Sequence, residues 1–234
     1  MKMEIKGFVP TSLVDWEGKV TSVIFVGGCN FKCGYCSNKD LVLHPEELKS
    51  IDLKGILEYL VRNKDFIDGV VISGGEPTLY PEVITLCKEI KNIGFKIKLD
   101  TNGSNPERLK EFLDNGLVEY LAMDIKTSFE KYKELINFDW DIEKIKKSIF
   151  LVSQFPEYEF RITLSPVVKK EDLLSIVKYL KENRINKSFF LHQFKPDSCI
   201  NGEFEKMTPY KDSQILEFHE LIKDFFEKCG VRNI

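Results

Sequence analysis

Short apolar segments alternate with amphipathic ones along almost the whole chain, and no other feature narrows the choice of fold so far. Strands are predicted at residues 19–26, 69–72, 95–99, 118–124, 159–164 and 188–193. Between them lie apolar stripes at helical spacing: Ile56, Leu57, Leu60 and Val61; Val83, Leu86, Cys87 and Ile90; Ile142, Ile145 and Ile149; Leu173, Ile176, Val177 and Leu180. A last stripe runs through Ile215, Phe218, Leu221, Ile222, Phe225 and Phe226. Strand and helix in alternation predict an α/β fold with a mainly parallel sheet. Six units are too few to close an eight-unit barrel, so the expectation is a partial (β/α)6 TIM-like barrel. With 234 residues and no Gly/Ser/Pro-rich linker, residues 1–234 are expected to form a single domain.

Folds of this kind carry their chemistry in the loops that follow the carboxyl ends of the strands. The unusual residues of this chain fall in those places. Residues 29–36, with three cysteines, follow the first predicted strand, and Ser73-Gly74-Gly75-Glu76-Pro77 follow the second. Asp100-Thr101-Asn102-Gly103 follow the third, and Asp124-Ile125-Lys126 close the fourth. Arg161 to Ser165 end the fifth, and His192-Gln193-Phe194 the sixth. Six polar clusters therefore converge on one rim.

Composition removes several functions. The formal net charge is −3, from 34 Lys and Arg against 37 Asp and Glu, so no global positive field draws in nucleic acid or anionic lipid. Residues 1–10 lack the apolar core and cleavage site of a signal peptide, and no apolar run is long enough to cross a bilayer. The expected address is the cytoplasm, where structural disulfides are rare. Three of the six cysteines nonetheless crowd into eight residues, while Cys87, Cys199 and Cys229 are scattered. That distribution points to metal.

Iron–sulfur clusters are held by closely spaced thiolates, usually four. Only Cys29, Cys33 and Cys36 are available in this loop, which would leave one iron open to a substrate ligand. On the loop alone, zinc with a fourth ligand such as His44 is a competing reading. Cys87 falls in an apolar helical stripe and reads as core, and Cys199 and Cys229 are too isolated to suggest a second cluster.

The spacing Cys-x3-Cys-x2-Cys, with Tyr35 before the last cysteine, resembles the radical S-adenosylmethionine (SAM) superfamily. So does Gly74-Gly75-Glu76-Pro77, placed one strand–helix unit later. The resemblance implies a [4Fe–4S] cluster on Cys29, Cys33 and Cys36, with Tyr35 and residues 74–77 contacting SAM. Two glycines let the backbone approach a bound amino acid closely and leave its carbonyls free to accept from the ammonium. Residues 11–19, 99–106 and 122–126 further resemble glycyl-radical-enzyme activating proteins. Gln193-Phe194-Lys195-Pro196 is similar to the branch that activates anaerobic ribonucleoside-triphosphate reductase. Two positions depart from that branch: Ser37 stands where it has His, and Glu17 where it has Pro.

Strand parity sorts the remaining candidates. On the fourth predicted strand Ala122, Asp124 and Lys126 share the face opposite Leu121, Met123 and Ile125; on the fifth, Arg161, Thr163 and Ser165 oppose Phe160, Ile162 and Leu164. The polar faces should meet the barrel mouth, where Lys126 and Arg161 suit a methionyl carboxylate. Thr163 and Gln193 are expected to join the SAM site, and His192 to point away from it as a structural residue. The resemblance also implies a monovalent-cation site from Asp100, Thr101, the Ala122 carbonyl and Asp124, and a partner groove that includes Asp15. It implies reductive cleavage of SAM to a 5′-deoxyadenosyl radical, with the electron supplied by a flavodoxin- or ferredoxin-type donor. That radical would take a hydrogen from a glycine of the partner enzyme. Two rival readings are a radical SAM enzyme acting on a small molecule, like deazapurine-forming relatives, and a non-catalytic metal-binding module.

Overall fold

A computed structural model describes residues 2–234; Met1, part of the opening read above for a signal peptide, lies outside them. Eight strands form one sheet in the order of the chain: β1 (Ile5–Ser12), β2 (Thr21–Val26), β3 (Gly69–Gly74), β4 (Lys96–Thr101), β5 (Tyr120–Asp124), β6 (Glu157–Leu164), β7 (Ser188–Gln193) and β8 (Lys228–Arg232). β1 runs antiparallel to β2, and every later neighbour is parallel. The partial-barrel expectation holds, with β2 to β7 as the six expected strands and one further strand at each edge.

Both additional strands have local reasons for going unread. β1 carries Gly7 and Pro10, two poor strand formers, and its pairing slips between Val9 and Ser12. Pro10 has no N–H to give a ladder, which an edge strand tolerates; its carbonyl accepts the Ser22 hydroxyl at 2.6 Å. β8 is five residues long with Gly230 at its centre, directly after the last helical stripe. That stripe also ends earlier than its periodicity suggests: the helix is Asp212–Ile222, and Phe226 leaves it to stack on Phe189 of β7, with ring centroids 4.9 Å apart. The leading segment, residues 11–19, was expected ahead of the sheet; Thr11 and Ser12 in fact end β1.

Helices cover the outer face of the sheet. Their stripes bury Ile56 and Leu60, Val83 and Ile90, Ile145 and Ile149, and Leu173, Ile176 and Leu180 against the alternate residues of the strands. Cys87 is fully buried in this layer, as its stripe predicts. The inner face differs along the barrel axis. Near the amino ends of the strands, Trp16 packs with Val23 and Val71, flanked by Phe25 and Tyr120. Toward the carboxyl ends the lining becomes ionic, with Lys98, Glu159 and Arg161 all buried. Among the described residues no helix is long and apolar enough to cross a membrane.

Candidate active site

The first polar loop leaves β2 through Gly28, whose φ of 83° suits glycine. It carries Cys29, Cys33 and Cys36 into one cavity at the carboxyl ends of the strands. Cys33 is buried and the other two are half-buried. The Cys29 sulfur accepts the Phe31 N–H at 3.4 Å and the Asn102 side-chain amide at 3.6 Å. Asn102 also donates to Asn30 Oδ1 at 3.0 Å, so it orients the cysteine loop. His44, the alternative fourth ligand, faces solvent beside Glu46 and Glu47 and does not line the cavity.

The second loop forms the opposite wall. Gly75 N–H donates to the Val26 carbonyl at 2.9 Å and Glu76 N–H to the Gly28 carbonyl at 2.9 Å, so the backbones after β2 and β3 interlock. A side chain at Gly75 would collide with the Gly28 carbonyl, and Gly74 has φ 114°. Glycine here is a steric requirement. Gly74 and Gly75 line the cavity, whereas Glu76 and Pro77 stand behind them. Glu76 is wholly buried: Oε1 accepts from Thr78 N–H at 3.0 Å and the Thr101 hydroxyl at 2.8 Å, and Oε2 from Asn102 N–H at 2.6 Å. Burial raises its pKa, and these donors oppose the rise. It braces the loops after β3 and β4 together.

The floor is ionic. Arg161 Nε lies 2.7 Å from Asp124 Oδ1; its Nη1 lies 3.3 Å from Asp100 and 3.8 Å from Glu159. Lys126 reaches Asp124 at 3.3 Å, and Lys98 reaches Asp100 at 3.3 Å. Burial alone would raise the Asp124 pKa, but Arg161 and Lys126 hold it far below the usual carboxylate range. The Arg161 and Lys126 cations are fixed in return, their carboxylate partners outweighing burial. Asp100 Oδ1 is buried and makes these ion pairs but no hydrogen bond. Thr101 lines the same cavity, and buried Ala122 pairs in register with Asp100.

The sixth strand end is reversed from expectation. The register sets Arg161 opposite Phe190, Thr163 opposite His192 and Leu164 opposite Gln193. His192 therefore shares the inner face with Arg161, and Gln193 turns outward, where its amide donates to the Tyr210 carbonyl at 2.7 Å. Burial, and then the Arg161 charge, push the His192 pKa down to about 4, so its imidazole is neutral at pH 7. Its Nε2 is buried without a hydrogen-bond partner. Parity counted from β6 across the sheet could have found it. Thr163 and Gln193 do not line the cavity, and neither does Ala122. Asp15 lies in a separate groove toward the amino ends of the strands; its carboxylate accepts from the Ser12 hydroxyl and its carbonyl from Lys98 Nζ at 2.5 Å. Cys229 belongs to that groove, whereas Cys199 lies against the cysteine loop, so the two share no site.

This donor set fits an iron–sulfur cluster. Burial pushes the Cys29 thiol up to about 12 and the Cys33 thiol up to about 11, so thiolates there call for bound cations to offset the loss of water. A cavity with three thiols on one wall, glycine backbone on another and two fixed cations below also matches an amino acid bound at its ammonium and carboxylate. The family model of the Radical SAM superfamily matches residues 23–180, which hold the cysteine loop, the Gly-Gly-Glu-Pro loop and the floor. This chain belongs to the radical SAM superfamily.

Within it, this radical SAM enzyme belongs to the glycyl-radical enzyme activating family. It is 34% identical over 242 residues to a protein of Methanocaldococcus jannaschii provisionally named a glycyl-radical enzyme activating enzyme, covering 100% of this chain and 98% of the relative. It is also 34% identical over 119 residues to the pyruvate formate-lyase-activating enzyme of Clostridium pasteurianum, covering 49% of this chain and 48% of that one. Solved structures share the fold at lower identity. Streptococcus suis SuiB bound to its precursor peptide SuiA superposes with a TM-score of 0.68 at 18% identity, over 89% of this chain and 48% of SuiB. A domain of a Bacteroides vulgatus pyruvate-formate lyase-activating enzyme gives 0.56 at 21% identity, over 70% of this chain and 99% of the domain. The radical SAM family implies a [4Fe–4S] cluster and SAM as cofactors.

Proposed function

We propose that this radical SAM enzyme activates a glycyl radical enzyme, anaerobic ribonucleoside-triphosphate reductase, by removing a hydrogen atom from a glycine Cα. The observation that carries the reading is the trio of thiols in one cavity whose wall, among the described residues, holds no fourth cysteine and no histidine. When bound, the cluster and SAM supply a one-electron cleavage that yields a 5′-deoxyadenosyl radical.

The chain supplies placement. Cys29, Cys33 and Cys36 would hold the cluster, and Tyr35, on the wall of the same cavity, would contact SAM. Gly74 and Gly75 give a close, side-chain-free wall for the methionyl ammonium, and Glu76, with Pro77, keeps that wall in place from behind. Lys126 and Arg161 offer fixed positive charge to the methionyl carboxylate, while neutral His192 shares the inner face with Arg161 without lining the cavity. Asp100, Thr101 and Asp124, with the Ala122 carbonyl behind the cavity wall, are the oxygen donors of a monovalent-cation site, and despite burial Arg161 and Lys126 hold the Asp124 carboxyl well below its usual range. No general acid or base is called for, which agrees with a floor whose charges are locked in pairs. Asp15 lies in a groove that Lys98 joins to the floor of the cavity, reaching both the Asp15 carbonyl and Asp100, and this groove is the one assigned to the partner's glycine-bearing segment. The electron comes from a flavodoxin- or ferredoxin-type donor, and the setting is the cytoplasm, with neither nucleic acid nor membrane as partner.

The reading is tested by incubating the anaerobically reconstituted enzyme, SAM and a reductant with anaerobic ribonucleotide reductase. A glycine-centred doublet in the reductase EPR spectrum is expected. Full SAM cleavage without any doublet on the reductase would refute this choice of partner.

A further inference from the structure

The chain after β7 turns back over the cysteine loop and closes on it. Ile200 N–H donates to the Cys36 carbonyl at 3.1 Å and Asn201 N–H to the Gly34 carbonyl at 3.0 Å. The Cys199 sulfur lies 3.9 Å from the Tyr35 carbonyl between them. Three successive carbonyls, of residues 34, 35 and 36, are thus engaged by three successive residues of the strap.

Side chains seal the same contact. A Cβ on Gly34 would meet Phe204 ring carbons at 2.5 and 2.9 Å, so the Phe204 ring occupies the space that glycine leaves open. The ring also sits 6.3 Å from Tyr35 and 6.2 Å, edge on, from buried Phe194. Asn201 holds the ring in place, since its side chain accepts from Glu203 N–H at 3.0 Å and caps the helix Gly202–Glu205.

A trans peptide points its carbonyl and the following N–H in opposite directions. Fixing the carbonyls of Gly34 and Cys36 outward on the strap therefore turns the N–H groups of Tyr35 and Ser37 away from the strap. Neither N–H meets an acceptor among the described residues. Hydrogen bonds to the sulfurs are one of the levers by which a protein sets the potential and retention of an iron–sulfur centre. Partners one step removed from a metal ligand commonly control affinity as well as geometry.

We infer that residues 199–204 form a clamp on the cysteine loop, with Phe204 as its positioning residue, and that the clamp sets how firmly the cluster is held and how easily it is reduced. The clamp residues themselves do not line the cavity. It gives buried Cys199 a task as a loop anchor outside the ligand set.

The test uses the anaerobically reconstituted full-length enzyme. Iron release to a chelator is followed by loss of the cluster's visible absorbance, and the midpoint potential by EPR-monitored titration. Phe204→Ala is expected to release iron on the order of tenfold faster and to shift the midpoint potential from the wild-type value, because the loop that orients the thiolates is no longer held. Phe204→Leu, which keeps an apolar filling, is expected to lie between. Gly34→Ala is expected to loosen the cluster when Phe204 is present, and to cost much less in the Phe204→Ala background, where the space is free. Circular dichroism of each variant separates this from loss of fold. Wild-type iron release and potential in a folded Phe204→Ala protein would overturn the inference. So would a Gly34→Ala penalty that is the same in both backgrounds.

Discussion

Arg161 is the residue on which the site's electrostatics turn, since one guanidinium faces Asp100, Asp124 and Glu159 at the centre of the barrel. Removing one partner from a buried ionic group leaves the others uncompensated, which costs about 3–5 kcal/mol. Arg161→Gln is therefore expected to lose about that much in urea unfolding. Arg161→Lys should recover only part of it, because a single ammonium cannot span three carboxylates. Below it, Glu159 takes both Arg232 nitrogens at 2.8 Å and the Tyr120 hydroxyl at 2.8 Å, and despite burial these cations bring its pKa down to about 2. His192 sets the behaviour at milder pH. Its folded pKa of about 4 lies below the unfolded value of 6.5, so the unfolded chain binds the proton more readily. Stability is complete above pH 6.5 and drains as pH falls toward 4, by at most about 3 kcal/mol. His192→Gln is expected to flatten that stretch of the curve in urea titrations at stepped pH. An unchanged slope would show that other groups produce it.

At the scale of elements, the loops after β2 and β3 behave as one unit because their backbones exchange hydrogen bonds through Gly75 and Glu76. Gly75→Ala has no space to fill and is expected to displace the cysteine loop, leaving a protein that takes up little iron. Gly55 is a useful contrast. It lies in the helix Leu53–Arg62 with nothing within contact distance, so Gly55→Ala should raise stability by about 0.5–1 kcal/mol in the same unfolding assay. The elements legible in the sequence were those with unbroken β-branched runs or a full apolar stripe, and they include every strand that carries a site loop. β1 and β8 were hidden by Gly7, Pro10 and Gly230, since edge strands accept residues that local patterns count against a strand. His192 and Gln193 were exchanged for a different reason. Alternation along β7 gives two faces but not which of them is inner, and only its pairing with β6 decides that.

The whole molecule is a barrel whose outer layer is apolar and whose inner layer is graded, from Trp16 and its neighbours at the amino ends to paired charges beneath a cavity of thiols. The reactive end was legible because its residues cluster in sequence directly after strands: Cys29, Cys33 and Cys36, Gly74 and Gly75, Asp100, and Asp124 with Lys126. The clamp on the cysteine loop was not legible, since Cys199 and Phe204 come from a segment far along the chain that carries no motif of its own. The same is true of Asn102, whose contact with the Cys29 sulfur depends on two loops meeting across the cavity. The account's central claim is that three thiolates place a redox cluster where SAM binds and is cleaved. Its most direct test is to reconstitute the chain without oxygen, add dithionite and SAM, and quantify 5′-deoxyadenosine by chromatography. The wild-type chain is expected to form 5′-deoxyadenosine in equal amount with methionine, and Cys33→Ala to form none. A reconstituted wild type that leaves SAM intact, or a Cys33→Ala variant that cleaves it as fast, would contradict the account.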